Sequence, residues 1–184
     1  MATTLTARVF IDSFNTGVGR LTVACTESAL LGIGLPNCSQ GSLLDRLKID
    51  ASQSLTHASN DLMWEAGGQL ADYAEGRLTA FSLPFELNVC TPFERTILNE
   101  VCRVPYGQVR SYGEIARRAG HPRAFRAVGA ANARNPLPLL VPCHRIVAAH
   151  GLGGYGGGLA LKRKLLALEQ ANNLTTDSLP NQGD

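Results

Sequence analysis

The sequence has no apolar run approaching the roughly 18 residues that a membrane-spanning helix needs, so no membrane partner is expected. It has no C-x-x-C pair: its five cysteines, at 25, 38, 90, 102 and 143, are scattered and odd in number. Zinc-ribbon and redox-motif spacings are therefore missing. Cys25, Cys38 and His57 have no ligand spacing, and neither a metal nor an organic cofactor is expected. The N-terminus lacks the basic region and long apolar core of a secretory leader, which predicts a cytoplasmic protein with reduced thiols.

Charge is present but unevenly placed. Residues 1–90 carry a net −4, residues 91–171 a net +8 and residues 172–184 a net −2. A basic half suits a polyanionic partner, although a solvated basic face reads the same way from charge alone.

Stretches 5–11, 21–25 and 29–35 read as strands of a small antiparallel sheet, with Gly17-Val18-Gly19 as a turn. The Ser- and Asn-rich stretch 36–60 reads as loop. Leu62, Ala66, Leu70 and Tyr73 recur at helical spacing and predict a helix over 61–75, with Trp64 as a core anchor. Thr91-Pro92-Phe93-Glu94 forms a capping box with proline at the first helical position, predicting a helix over 92–103. Ser111-Tyr112-Gly113-Glu114 forms a second box, opening a short helix that Gly120 and Pro122 stop. The segment 123–133 follows as another helix, so the pair has the helix-turn-helix pattern. On its wheel Ala124, Ala127, Val128 and Ala131 form the face to be buried. Arg126, Gly129, Ala130 and Ala133 oppose them. One long cation among residues with almost no side chain allows close approach to a large partner and reach into a groove.

The chemistry centres on Pro142-Cys143-His144-Arg145, flanked by apolar, β-prone residues. A thiol beside an imidazole is either an activated nucleophile or an inert buried cysteine. Gly151 to Gly158 holds six glycines in eight positions and formally contains G-x-G-x-x-G. Only 26 residues follow it, too few to complete a dinucleotide-binding unit. Side-chain-free backbone there leaves room for a bulky flat ligand. Leu159 to Glu169 reads as the last helix, with Lys162-Arg163-Lys164 facing solvent or phosphate and 172–184 as a disordered tail.

Pro142-Cys143-His144-Arg145-Ile146-Val147 resembles the active-site signature of the O6-alkylguanine-DNA alkyltransferases, also called methylated-DNA–protein-cysteine methyltransferases. Pro105-Tyr106-Gly107, Ser111-Tyr112, Arg126-Ala127-Val128-Gly129, Asn135-Pro136, Gly154-Tyr155 and Leu165 to Glu169 resemble the family in the same order. The resemblance implies an α/β fold: a ribonuclease-H-like domain over 1–88, then a mostly helical, winged-helix-like domain with a helix-turn-helix over 89–171. It implies single, irreversible transfer of an alkyl group from O6-alkylguanine, also O4-alkylthymine, in double-stranded DNA to Cys143 of a monomer. His144 is then the base and Glu169 its orienting carboxylate. Tyr112 donates to the guanine ring and Asn135 braces the turn. Minor-groove binding with base flipping falls to Arg126, with Ser111, Arg123, Ala127, Gly129, Ala130 and Arg134 beside it. Pro138, Ile146, Tyr155, Gly156 and Gly157 are the implied pocket. Family members often carry serine where Gly156 stands, so a wider pocket is implied. Rival readings are a damage-recognition module without transfer, a helix-turn-helix regulator and a thiol hydrolase. The first of these replaces the reactive cysteine that is present here.

Overall fold

The computed structural model describes residues 8–50, 55–56 and 59–176. Strand β1 (Val9–Thr16) pairs antiparallel with β2 (Gly19–Cys25), and β2 with β3 (Leu30–Gly34). The short β4 (Leu55–Thr56) adds parallel to β1, giving the order β3-β2-β1-β4. Residues 5–7 of the first expected strand lie outside the described residues, as does His57. Gly19 makes the first turn with φ +114°, which favours glycine.

Alternation along β1 sends Val9 and Ile11 to one face and Phe10 and Phe14 to the other. The first face is covered by α1 (Gln40–Leu47), whose Leu43, Leu44 and Leu47 are buried against it. This corrects the loop expected over 36–60. Ser39 caps the helix by accepting from the Ser42 N–H, and three leucines on one side supply enough apolar area amid polar neighbours. The second face is covered by α2 (Asp61–Ala74) through Met63, Ala66, Leu70 and Tyr73. Trp64, expected in the core, is 64% exposed. It sits on the flank of the apolar stripe, edge-on to Phe14 with ring centroids 6.3 Å apart. Phe14 lies over Gly67, where a Cβ would come within 2.4 Å of the ring. The glycine that weakens the helix locally is what lets the sheet approach it.

Both expected capping boxes are present, at Thr91/Glu94 on α3 (Pro92–Cys102) and Ser111/Glu114 on α4 (Tyr112–Arg118). Helix α5 (Phe125–Ala133) completes the helix-turn-helix, with Val128 and Ala131 buried, Ala124 and Ala127 half-buried and Arg126 exposed. Strands β5 (Arg110–Ser111) and β6 (Ile146–Val147) pair in parallel. They fasten the start of α4 to the backbone just after the 3₁₀ turn Cys143–Arg145. Helix α6 (Leu159–Thr176) runs past the point where the tail was expected to lose structure; residues 177–184 lie outside the described residues.

The two halves share one apolar core, from Leu21, Ile33 and Tyr73 to Ile97, Val128 and Ile146. Polar links also cross between them. The Ile33 N–H donates to the Pro136 carbonyl at 2.8 Å, and Lys164 Nζ reaches the Gly17 carbonyl at 2.6 Å. No helix among the described residues is long and apolar enough to cross a membrane.

Candidate active site

Cys143 sits at the start of the 3₁₀ turn, and its thiol is reached by Asn135 Nδ2 at 3.2 Å. The same amide nitrogen donates to the Val141 carbonyl at 2.8 Å, while Asn135 Oδ1 accepts from the Leu137 N–H at 3.0 Å. One buried side chain thus holds the Pro136–Val141 loop closed and points a donor at the sulfur. The loop needs that brace: Leu139 is buried with φ +80°, a conformation costly for a residue with a Cβ.

His144 and Glu169 are both fully buried, and His144 Nε2 lies 2.8 Å from Glu169 Oε1. Four other donors converge on the same carboxylate. Tyr73 donates its hydroxyl to Oε1 at 2.6 Å, Arg145 Nε to Oε2 at 2.9 Å, Arg145 Nη2 to Oε1 at 2.9 Å and the Gly107 N–H to Oε2 at 3.0 Å. Burial alone would raise the Glu169 carboxyl, but the hydrogen bonds and charges of His144 and Arg145 outweigh it and hold the group at about 2. An ionised carboxylate only accepts, so His144 carries its proton on Nε2. The other ring nitrogen, Nδ1, is buried without a hydrogen-bond partner among the described residues. Its lone pair is therefore the basic site of the ring.

Burial pushes His144 below the ordinary imidazole value against the pull of Glu169, so the ring is neutral at pH 7. Burial also pushes the Cys143 thiol up, opposed by the Asn135 hydrogen bond and the Lys162 charge. At rest the two groups are thiol and neutral imidazole, and the ring's free lone pair on Nδ1 is able to accept a proton.

Lys162, expected to face solvent or phosphate, is wholly buried. Its ammonium donates to the carbonyls of Ile146 at 2.6 Å, Leu152 at 2.5 Å and Gly154 at 3.1 Å. Burial lowers it to about 8, so it stays mostly charged at neutral pH and ties the glycine loop to the backbone beside the nucleophile. The carbonyl of Ile146, an implied pocket residue, is already engaged on one lone pair by this lysine. Tyr112 is half-buried over Gly153, where a Cβ would come within 2.8 Å of its ring, and its hydroxyl donates to the Gly154 carbonyl at 3.4 Å. Burial and the neighbouring Cys143 raise its phenol.

A small cleft opens at Cys143, with Pro138, Tyr155 and Gly156 in its wall. Gly157 does not open it; a Cβ there would meet Leu161 and Leu35. On the helix pair Arg123 and Arg126 are exposed, with Arg126 resting over the Phe125 ring at 5.8 Å. Ala127, Gly129 and Ala130 are half-buried beside them. Ser111 is committed to capping α4, and Arg134 pairs with Glu94. Sequence reasoning missed Tyr73, placed only as a core residue, and left Arg145 without a role. Nothing in a helix stripe says that a tyrosine's hydroxyl ends on a carboxylate 96 positions away. Among the described residues no cluster of three or more His, Cys, Asp or Glu is placed to hold a metal ion.

A cysteine followed by a histidine that meets a buried carboxylate, packed with a helix-turn-helix, marks a class: a thiol site built onto a helix pair of the nucleic-acid-binding type. Residues 92–171 match the DNA-binding domain of 6-O-methylguanine DNA methyltransferase. The chain belongs to the methylated-DNA–protein-cysteine methyltransferase family. It is 48% identical over 122 residues to the family member of Mycobacterium leprae, covering 65% of this chain and 73% of that one. A Methanosarcina acetivorans member is 38% identical over 157 residues, covering 85% and 95%. The crystal structure of Mycobacterium tuberculosis O6-methylguanine methyltransferase superposes with a TM-score of 0.76 at 36% identity, covering 89% of this chain and 94% of that one. The crystal structure of Mycobacterium tuberculosis OGT in complex with DNA gives 0.76 at 35% identity, with the same coverage.

Proposed function

We propose that the protein repairs duplex DNA by moving the alkyl group of O6-alkylguanine, and of O4-alkylthymine, onto Cys143, once per molecule. The observation that carries the reading is the buried His144–Glu169 pair directly after Cys143, whose thiol lies at a cleft. His144 takes the thiol proton on Nδ1 through a bridging water, the sulfur attacks the alkyl carbon, and the carbon–oxygen bond breaks. Negative charge then develops on the guanine, where the Tyr112 phenol is the nearby donor. The guanine leaves protonated, and an S-alkylcysteine remains, which no second step in this site returns to thiol.

The reading includes base flipping, because a thiol at the floor of a cleft cannot reach an O6 substituent inside a stacked helix. Arg126, exposed between half-buried Ala127, Gly129 and Ala130, suits the space left in a minor groove. The protein acts as a monomer, with residues 1–88 and 89–171 as its two structural parts.

The deciding experiment is intact-protein mass after mixing with duplex carrying O6-methylguanine. A single methyl gain that maps to Cys143 and saturates at one per molecule is expected. Binding without mass gain would make the protein a damage-recognition module instead. Arg126→Ala is expected to slow repair of duplex far more than reaction with free O6-benzylguanine; equal losses would remove the flipping role.

A further inference from the structure

Phe125 opens α5 and is 51% exposed. It is the only aromatic side chain so exposed among the described residues of the basic half; Trp64 and Phe85 lie in the first half. A lone apolar residue on a surface needs no explanation by itself. The surroundings make this one unusual. Val128 and Ala131 are buried, and the outward positions carry Arg126 with Gly129, Ala130 and Ala133, residues almost without side chain. Phe125 shares one side of α5 with Gly129 and Asn132, four and seven positions further on. That side faces the thiol. A Cβ on Gly129 would lie 3.9 Å from the Tyr112 ring, and Asn132 borders the cleft at Cys143. Arg126 follows about a quarter turn round the helix, its guanidinium carbon 5.8 Å from the centre of the Phe125 ring. Phe125 therefore stands at the edge where the exposed face of α5 meets the side toward the cleft. A base drawn from a duplex on that face passes this edge to reach Cys143.

We propose that Phe125 is a second inserting residue, which enters the minor groove with Arg126 and stacks on the base bordering the extruded nucleotide on the cleft side, a role that rests on the alkyl-transfer reading above. The two side chains divide the task by their chemistry. Arg126 brings charge and reach. The phenyl ring brings apolar area, which gains by leaving water and by covering the base face that is bared when its neighbour is drawn out. Apolar wedges pushed between base steps from the minor groove hold a duplex open in this way. Stacking makes little distinction among bases, because each has an aromatic face. That tolerance suits a protein whose target lies in any sequence.

The test is the second-order transfer rate from duplex carrying O6-methylguanine, divided by the rate from free O6-benzylguanine, in the full-length chain and its variants. Phe125→Ala is expected to lower this ratio about tenfold, toward the lower end of base–aromatic stacking. Its thermal midpoint should barely move, because the ring is exposed. Phe125→Trp should keep the ratio. Phe125→Leu should lose most of it, since leucine has bulk without a stacking face. The Phe125→Ala change is made in Arg126→Ala as well, because a ring that merely props the guanidinium would act through Arg126 alone. A further fall of the ratio in that double variant is expected. No further fall would reduce Phe125 to a support for Arg126 and overturn the proposal. An unchanged ratio in Phe125→Ala, or a ratio that leucine preserves as well as tryptophan does, overturns it too. A parent chain that transfers from neither substrate would instead sink the alkyl-transfer reading, and the inserting role with it.

Discussion

Tyr73 is the residue whose role the fold changes most. From a stripe of apolar positions it becomes a donor to the Glu169 carboxylate that His144 also meets. Tyr73→Phe removes that donor and leaves more of Glu169's charge directed at His144. The His144 value should then rise, moving the acid limb of the pH–rate profile upward, with a stability loss of about 1–2 kcal/mol for the lost buried hydrogen bond. A transfer-rate profile from pH 5 to 8 checks this, and an unmoved limb would make Tyr73 a packing residue only. Glu169→Gln should be far more damaging. It strands the buried Arg145 guanidinium, and breaking a buried pair typically costs about 3–5 kcal/mol; urea unfolding measures the loss. The contact between His144 and Glu169 was expected because the family's motif carries both residues. Lys162 was not. A lysine in a Lys-Arg-Lys run reads as surface, and only the fold shows three carbonyl oxygens meeting at its ammonium.

Among the elements, those that announce themselves by local chemistry were read correctly. Helices α3 and α4 carry reciprocal capping boxes, which are contacts within four residues and so visible in sequence. Helix α1 escaped because its three leucines sit among serines, and its burial depends on β1 and β3 rather than on its own pattern. Trp64 was misplaced for the same reason: whether a residue on the flank of a helix stripe is covered depends on what packs there. Thr91→Ala should cost about 1 kcal/mol by removing one half of a box, read as a lower thermal midpoint with little change in transfer rate. Lys162→Met should loosen the glycine loop. The expected result is a fall in transfer from both duplex and free O6-benzylguanine, because the loop shapes the pocket rather than the DNA contact. Loss confined to duplex would place Lys162's effect at the DNA instead.

Across the whole molecule, charge and burial make separate demands. The net +8 carried by residues 91–171 predicts DNA binding that weakens steeply with salt. Titrating the Cys143→Ala variant on duplex should show affinity falling more than about tenfold between roughly 50 and 200 mM salt. Acid should destabilise the fold in two windows. His144 has a lowered value in the folded state, so stability is lost as pH falls below 6.5 and the unfolded imidazole binds protons first. Glu169, held at about 2 against 4.5, loses its contribution as pH falls from 4.5 toward 2. Equilibrium unfolding across this range should show stability decreasing monotonically with acid. The core shared by the two halves carries a further consequence for anyone cutting the gene. Residues 92–171 bring Cys143, His144, Glu169 and the helix pair, and look like a portable cassette. Excised, they would lose Tyr73 from the carboxylate, expose the apolar surface that the sheet now covers, and leave the Pro136 carbonyl without Ile33. Cys143 sits in a body whose core both halves build, and grafting it onto another protein means carrying the sheet along with it.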